Sequence, residues 1–230
     1  MKRLVFLSLA LGLSVSLFAQ TGGLQIKPQY AAGNWTEVNG RYVQNDARAR
    51  LAKANLRIPQ SGIVEYEFNV RYEDGLGDGH GGFGIHIFGD TVAERASWGS
   101  GNSYLLWLNY DTTNPQAPGV RNGNPKNLPI PKGLSAQVYR SFSDTYMELL
   151  ESKDLNDEFS NVTWDVLNYP IHFKIQVNGN TGEVRVFDPT DPDLIDYYSF
   201  YIDRKSLPLR GNWVSVRTNG IKLSFQPTGF

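Results

Sequence analysis

Two glutamates, Glu65 and Glu67, stand two apart in the run GIVEYEFNVRY at 62–72. On a strand, residues i and i+2 share a face roughly 6.5–7 Å apart. Carboxylates that flank a scissile glycosidic bond need about 5–5.5 Å for retention and about 6.5–9.5 Å for inversion. The pair is therefore a candidate for glycoside chemistry, and it is also what the wet face of an ordinary strand carries. No Ser-His-Asp or Cys-His set can be identified from residue order.

A second group of chemically capable residues lies in DGLGDGHGGFGIHIFGD at 74–90, which contains the spacing G-x-G-x-x-G from Gly79 to Gly84. A dinucleotide site needs a helix after those glycines, so that the pyrophosphate meets the helix N-terminus. Here Ile85-His86-Ile87-Phe88 follows, a period-two strand, and the glycines read as the bend and close backbone approach of a sheet. Asp74, Asp78 and Asp90 offer oxygens to Ca²⁺, as do Asp188, Asp191 and Asp193 in the acidic loop DPTDPD, although neither loop has EF-hand spacing. Three histidines with no carboxylate at ligand spacing give no zinc motif. The expectation is no cofactor, with Ca²⁺ as the alternative.

The third group consists of polar and aromatic residues that alternate with apolar ones. If the strands at 63–72, 83–88, 103–109 and 134–141 share a sheet, their non-core faces combine Glu65, Glu67, Asn69, Arg71, His86, Trp107, Asn109, Gln137 and Tyr139. Sugars bind such a surface by laying C–H faces on an aromatic plane and engaging fixed donors and acceptors with their hydroxyls. Trp107 is the expected platform. His86, Asn109 and Arg71 would orient a ligand, with Gln137 and Tyr139 beside them, and Gly84 would leave a bare spot for a flat group. The competing expectation is a half-exposed face on which the Pro-, Asn- and Gly-rich stretch at 111–133 covers Trp107.

Period-two alternation runs through most of the chain after residue 34. Val64, Tyr66, Phe68, Val70 and Tyr72 share one face. Tyr104, Leu106, Leu108 and Tyr110 do the same, as do Ile171, Phe173, Ile175 and Val177. Asn39-Gly40 and Asn219-Gly220, set between alternating segments, are hairpin signals, because a type I′ turn needs positive φ at both positions. Residues 46–56 suit a short helix or a strand, and strand is preferred. Thr145 with Glu148 resembles a capping box, which leaves 145–158 ambiguous. Many short strands, tight turns and little helix predict an all-β fold, a two-sheet antiparallel jelly-roll β-sandwich.

MKRLVFLSLALGLSVSLFA at 1–19 has a basic start, an apolar run and Ala19 at its end, the grammar of a secretory signal peptide. The apolar run has about fifteen residues, short of the ~20 that cross a bilayer as a helix. Residues 20–230 are expected to form one domain, exported to the periplasm or the extracellular space, with no transmembrane span in the mature chain. There is no cysteine, so burial alone must hold the fold. Past residue 19 the balance is twenty basic against twenty-three acidic residues, a net charge of −3 with no basic stripe, which argues against a nucleic-acid partner.

The stretches IHFKIQVNGNTGEVRVF at 171–187 and GNWVSVRTNGIKLSF at 211–225 give a strand, a turn, a short strand, then a Gly-led strand ending in Arg-x-Asn-Gly and a last strand. With NWTEVNGRYVQ at 34–44 and GIVEYEFNVRY at 62–72, the pattern resembles the concanavalin A-like lectin/glucanase superfamily, particularly its laminin G-like and sugar-hydrolase-associated jelly rolls. The resemblance implies a jelly roll with a concave sheet, often carbohydrate-binding. The glucanase branch carries a Glu-x-Asp-x-Glu type motif. Glu65-Tyr66-Glu67-Phe68-Asn69 lacks its last acid and has Glu for the middle one.

The functional expectation is an exported, non-catalytic module that binds glycan or another envelope ligand on a concave sheet. The alternatives are a structural or assembly protein of the envelope, whose sheets meet a protein partner, and a glycoside-processing enzyme using Glu65 or Glu67.

Overall fold

In a computed structural model of the chain, the described residues are 27–77, 79–112, 122–156, 170–193, 196–202 and 204–229. The expected signal segment and Asp78 lie outside them, as do 113–121 of the Pro-rich stretch. The alternating segments form fifteen strands: β1 (Gln29–Ala32), β2 (Trp35–Val38), β3 (Arg41–Gln44), β4 (Ala52–Ser61), β5 (Ile63–Gly75), β6 (His80–Gly89), β7 (Ser103–Asp111), β8 (Asn122–Gly123), β9 (Gly133–Ser141), β10 (Met147–Asp154), β11 (Ile171–Asn178), β12 (Glu183–Phe187), β13 (Asp196–Tyr201), β14 (Arg210–Asn219) and β15 (Ile221–Gly229). They build an eight-stranded sheet in the order β1-β4-β14-β6-β7-β9-β10-β8 and a seven-stranded sheet in the order β13-β12-β11-β5-β15-β3-β2. Pairing is antiparallel except between β10 and the short β8. This is the expected two-sheet sandwich.

The core is the space between the sheets. Ala54, Leu56, Ile85, Ile87, Leu106, Val138, Val214 and Val216 enter from the larger sheet, and Tyr66, Phe68, Val70, Ile175, Val177, Leu223 and Phe225 from the smaller. Phe83 and Phe173 meet across the gap with ring centroids 6.1 Å apart. An apolar cavity of about 90 Å³ remains there, lined by Leu108, Leu134, Leu155, Ile171 and Tyr198 among others.

Three expectations need correction. The strand at 63–72 does not share a sheet with those at 83–88, 103–109 and 134–141. β5 pairs with β11 and β15 in the smaller sheet, while β6, β7 and β9 are neighbours in the larger. Asn219-Gly220 is not a hairpin turn, since β14 and β15 lie in different sheets. The chain turns there from one layer to the other, with the Gly220 amide donating to the Ala49 carbonyl at 2.9 Å. The capping-box reading at Thr145 also fails, because Met147–Asp154 is a strand whose Met147 and Leu149 are buried. Asn39-Gly40, by contrast, joins β2 to β3 with φ of 52° and 75°, as its turn chemistry requires.

The glycine-rich run is sheet geometry. It carries the chain from β5 to β6 through Gly75 (φ 118°) and Gly79 (φ 75°), and a strand follows it.

Candidate functional site

The outer face of the eight-stranded sheet holds two cross-strand rows. Lys53, Arg217, Gly84, Trp107 and Gln137 align across β4, β14, β6, β7 and β9. Asn55, Ser215, His86, Leu105, Tyr139 and Leu149 form the next row. The structure thus brings His86, Trp107, Asn109, Gln137 and Tyr139 onto one face, as alternation requires. Arg71 does not join them. It stands on the outer face of the other sheet, 3.7 Å from Glu73.

That face is not open, which corrects the expected platform. Trp107 is 4% exposed, Asn109 7%, and His86 and Tyr139 each 1%. Two segments cover it. Leu128 and Ile130, from the stretch between β8 and β9, pack on a second apolar cluster of Leu105, Trp107, Tyr139, Met147 and Leu149. The β6–β7 connection, residues 90–102, forms a compact strap whose ends are closed by the Asp90 carboxylate, which accepts the Asn102 backbone amide at 2.9 Å and its side-chain amide at 2.7 Å. The polar handles expected to meet a ligand are used between neighbours. Trp107 Nε1 donates to Asn109 at 3.1 Å, and the Tyr139 hydroxyl to Gln137 at 2.7 Å.

The bare spot at Gly84 is also filled from within. A Cβ there would collide with the Leu106 carbonyl. Beside it the Arg217 guanidinium lies between two indoles, 5.0 Å from the Trp107 ring and 5.2 Å from Trp98 of the strap. Its Nη1 donates to the Trp98 carbonyl at 2.5 Å. Lys53, fully buried, donates to Ser97 Oγ at 2.7 Å and to the Gly99 carbonyl. Burial, then the charge of Arg217, pushes its amine down to about 7. Burial likewise lowers Arg217 to about 10. It drives His86 well below the usual imidazole value, with Lys53 and Arg217 adding to the effect. None of Lys53, Trp98 or Arg217 was singled out from sequence. The available signal was slight, a cation two residues after Ser215 on the outward side of Val214-Ser215-Val216-Arg217.

The two glutamates are committed elsewhere. Glu65 accepts from Lys174 and from Gln176, each at 2.7 Å, and Glu67 is 2.7 Å from His172 Nε2. Burial raises the Glu65 pKa, but the hydrogen bonds from Lys174 and Gln176 outweigh it and hold the carboxyl below its usual range. A glycosidase acid needs the opposite shift. The calcium candidates turn inward on their own loops. Asp74 accepts the Gly75 amide, Asp188 that of Thr190 and Asp191 that of Asp193. Among the described residues no three acidic or histidine side chains gather as a metal site.

Among the described residues one aromatic pair has both rings exposed. At the tip between β9 and β10, Phe142 is 37% and Tyr146 42% exposed, with ring centroids 5.7 Å apart and planes tilted by 33°. Arg140 lies 4.7 Å over the Phe142 ring, and the Tyr146 hydroxyl donates to Glu148 at 2.7 Å. Ser143 Oγ accepts the Thr145 and Tyr146 amides, each at 3.2 Å, which fixes the turn that carries the pair.

No protein-family model and no curated protein matches the sequence. Among solved structures the chain is similar to the carbohydrate-binding module CBM66 from Bacillus subtilis, with 11% identity, coverage of 87% of this chain and 92% of that one, and a TM-score of 0.48. It is also similar to lectin I-B4 from Griffonia simplicifolia in its metal-free form (14% identity, 91% and 94% coverage, TM-score 0.47). A third is peanut lectin with a nine-residue peptide (11% identity, 88% and 91% coverage, TM-score 0.46). At these identities the likeness is one of architecture, and it assigns no residue a role.

Proposed function

We propose that the protein is an exported, non-catalytic module that binds glycan through the exposed pair Phe142–Tyr146. The observation that carries this reading is the pair itself. Two neighbouring rings, open to solvent on a hydrogen-bonded turn, offer the apolar plane that a sugar's C–H face needs. Arg140 and Glu148 stand beside them as donor and acceptor for hydroxyls. Because the turn is held by Ser143, little ordering entropy is spent on binding.

The covered face at Trp107 is the weaker candidate. Uncovering Leu105, Trp107, Tyr139 and Leu149 forfeits roughly 1.5–3 kcal/mol for each large side chain re-exposed. A lone sugar does not return that. The glycoside-processing alternative is disfavoured by the ion-paired state of Glu65.

A glycan array probed with protein recovered from the periplasm or the medium tests the proposal. Its intact mass should lack residues 1–19. Binding should fall at least tenfold in Phe142→Ala and Tyr146→Ala at unchanged melting temperature. Absence of any glycan ligand, with recovery in a large protein assembly, would favour the envelope-assembly alternative.

A further inference from the structure

Lysine and arginine side chains are almost never fully buried without an acidic partner, because desolvating an unpaired charge costs several kcal/mol. Lys53 at 0% and Arg217 at 2% exposure are both buried, and they face each other across β4 and β14. Among the described residues no carboxylate lies within ion-pair distance of either. Asp144, on the β9–β10 turn, acts on Lys53 without pairing with it, and its carboxylate accepts the Gly101 amide at 3.1 Å. Asp90 is taken up by Asn102, while Glu94 and Arg95, the other charges on the strap, are exposed.

Two buried donors in adjacent cross-strand rows of this face have no protein partner among the described residues. The Arg217 guanidinium carbon lies 5.2 Å from the Trp98 ring centroid and 5.0 Å from that of Trp107. Its Nη1 is used by the Trp98 carbonyl, and its Nε has no partner among the described residues. His86, on the adjacent strand and one register step away, spends Nδ1 on Ser103 Oγ at 2.9 Å. Its Nε2 points to the other side of the ring and is likewise unpartnered, in a residue 1% exposed. When the Ser103 hydroxyl is the donor of that bond, the ring proton sits on Nε2. The Lys53 ammonium has three protons and two acceptors, Ser97 Oγ and the Gly99 carbonyl.

We propose that Lys53, Arg217 and His86 form a binding site, beneath the 90–102 strap, for one compact monovalent anion, either a halide or a carboxylate as small as formate. A single negative charge answers all three unmet demands together. It takes the Arg217 Nε–H, the His86 Nε2–H and the third lysine proton, and it offsets the buried charge of Arg217 and of Lys53 when protonated. The size limit follows from the strap, which is tied over this ground by Lys53, Arg217, Asn55 to the Ala93 carbonyl, and Ser141 to the Ser100 amide. The site is independent of the glycan reading, and either can fail alone.

The test is thermal unfolding of the full mature protein at constant ionic strength in sodium chloride, sodium formate and sodium gluconate. Chloride and formate should raise the melting temperature with the logarithm of their concentration, by about 5–10 °C at a hundredfold excess over Kd, and bulky gluconate should not. The steeper of the two small anions identifies the preferred class. His86→Leu, which keeps the site apolar and filled, should lose most of the shift. In crystals grown with bromide, an anomalous peak should lie within hydrogen-bonding reach of Arg217 Nε and His86 Nε2. Equal melting temperatures in all three salts, a shift undiminished in His86→Leu, or a water without anomalous signal at that position would each overturn the proposal.

Discussion

Gly84 explains how this surface is made. A side chain there would strike the Leu106 carbonyl and hold the neighbouring strand away, and Arg217 could not then lie between Trp98 and Trp107. Gly84→Ala should therefore cost about 2–3 kcal/mol, seen as a melting temperature lower by about 5–10 °C. A value within 1 °C of the parent would contradict the close approach. Lys53 gives the stability a pH signature. Its amine falls from 10.5 in the unfolded chain to about 7 in the fold, so between those values the unfolded chain binds the proton more tightly. Stability should rise with pH from about 7 towards 10.5, by up to about 1.4 kcal/mol per unit, and the full penalty should apply below pH 7. Denaturant unfolding at pH 7 and pH 9 in gluconate buffer checks this, with Lys53→Met as the variant that should lack the slope. Trp107 and His86 could be placed on one face from sequence because alternation decides facing. The burial of Trp107 beneath the stretch at 111–133 was the competing expectation, and Leu128 and Ile130 bear it out, whereas the cover over His86 was not foreseen.

What lies above is the strap at 90–102 and the stretch around Leu128 and Ile130. The sequence offered 111–133 as a candidate cover over Trp107, but the Ser- and Gly-containing stretch at 90–102 carried no sign that Trp98 packs down onto the sheet. A sign was nonetheless present in β7. Tyr104-Leu105-Leu106-Trp107-Leu108 is apolar on both faces, and a strand of that kind is covered on both. The strap is pinned by the neighbouring turn as well as by the sheet. Asp144 accepts the Gly101 amide through its carboxylate and the Gly99 amide through its carbonyl. Asp144→Ala removes only the first, so it should cost about 1 kcal/mol and speed amide exchange at Gly101 while β14 and β6 keep their protection. Unchanged exchange at Gly101 would show that the turn does not hold the strap. The same turn carries Phe142 and Tyr146. Sequence reading passed over them because the apparent capping box at Thr145 and Glu148 drew the segment towards a helix.

The sandwich as a whole was legible because its strands alternate so regularly. Which strands share a sheet was not, since period two fixes a strand's two faces and says nothing of its neighbours. That is why Glu65, Glu67 and Arg71 were expected beside Trp107, when β5 carries them on the opposite side of the molecule. Asn219-Gly220 misled for a related reason, because a turn able to close a hairpin can also carry the chain between layers. Once assembled, the fold has one sheet sandwiched on both faces and the other bearing a lattice of half-exposed ion pairs, Glu67–His172, Glu65–Lys174 and Arg185–Asp196. That division leaves Phe142 and Tyr146, at the rim of the covered sheet, as the exposed aromatic pair proposed to meet a sugar. Glycan binding measured side by side for the parent, Tyr146→Ala and Phe142→Ala, with melting temperatures recorded on the same samples, tests this most directly. Both variants should melt within about 1–2 °C of the parent and bind at least tenfold more weakly. Parent-like binding in both would contradict it and return the search to the covered face around Trp107.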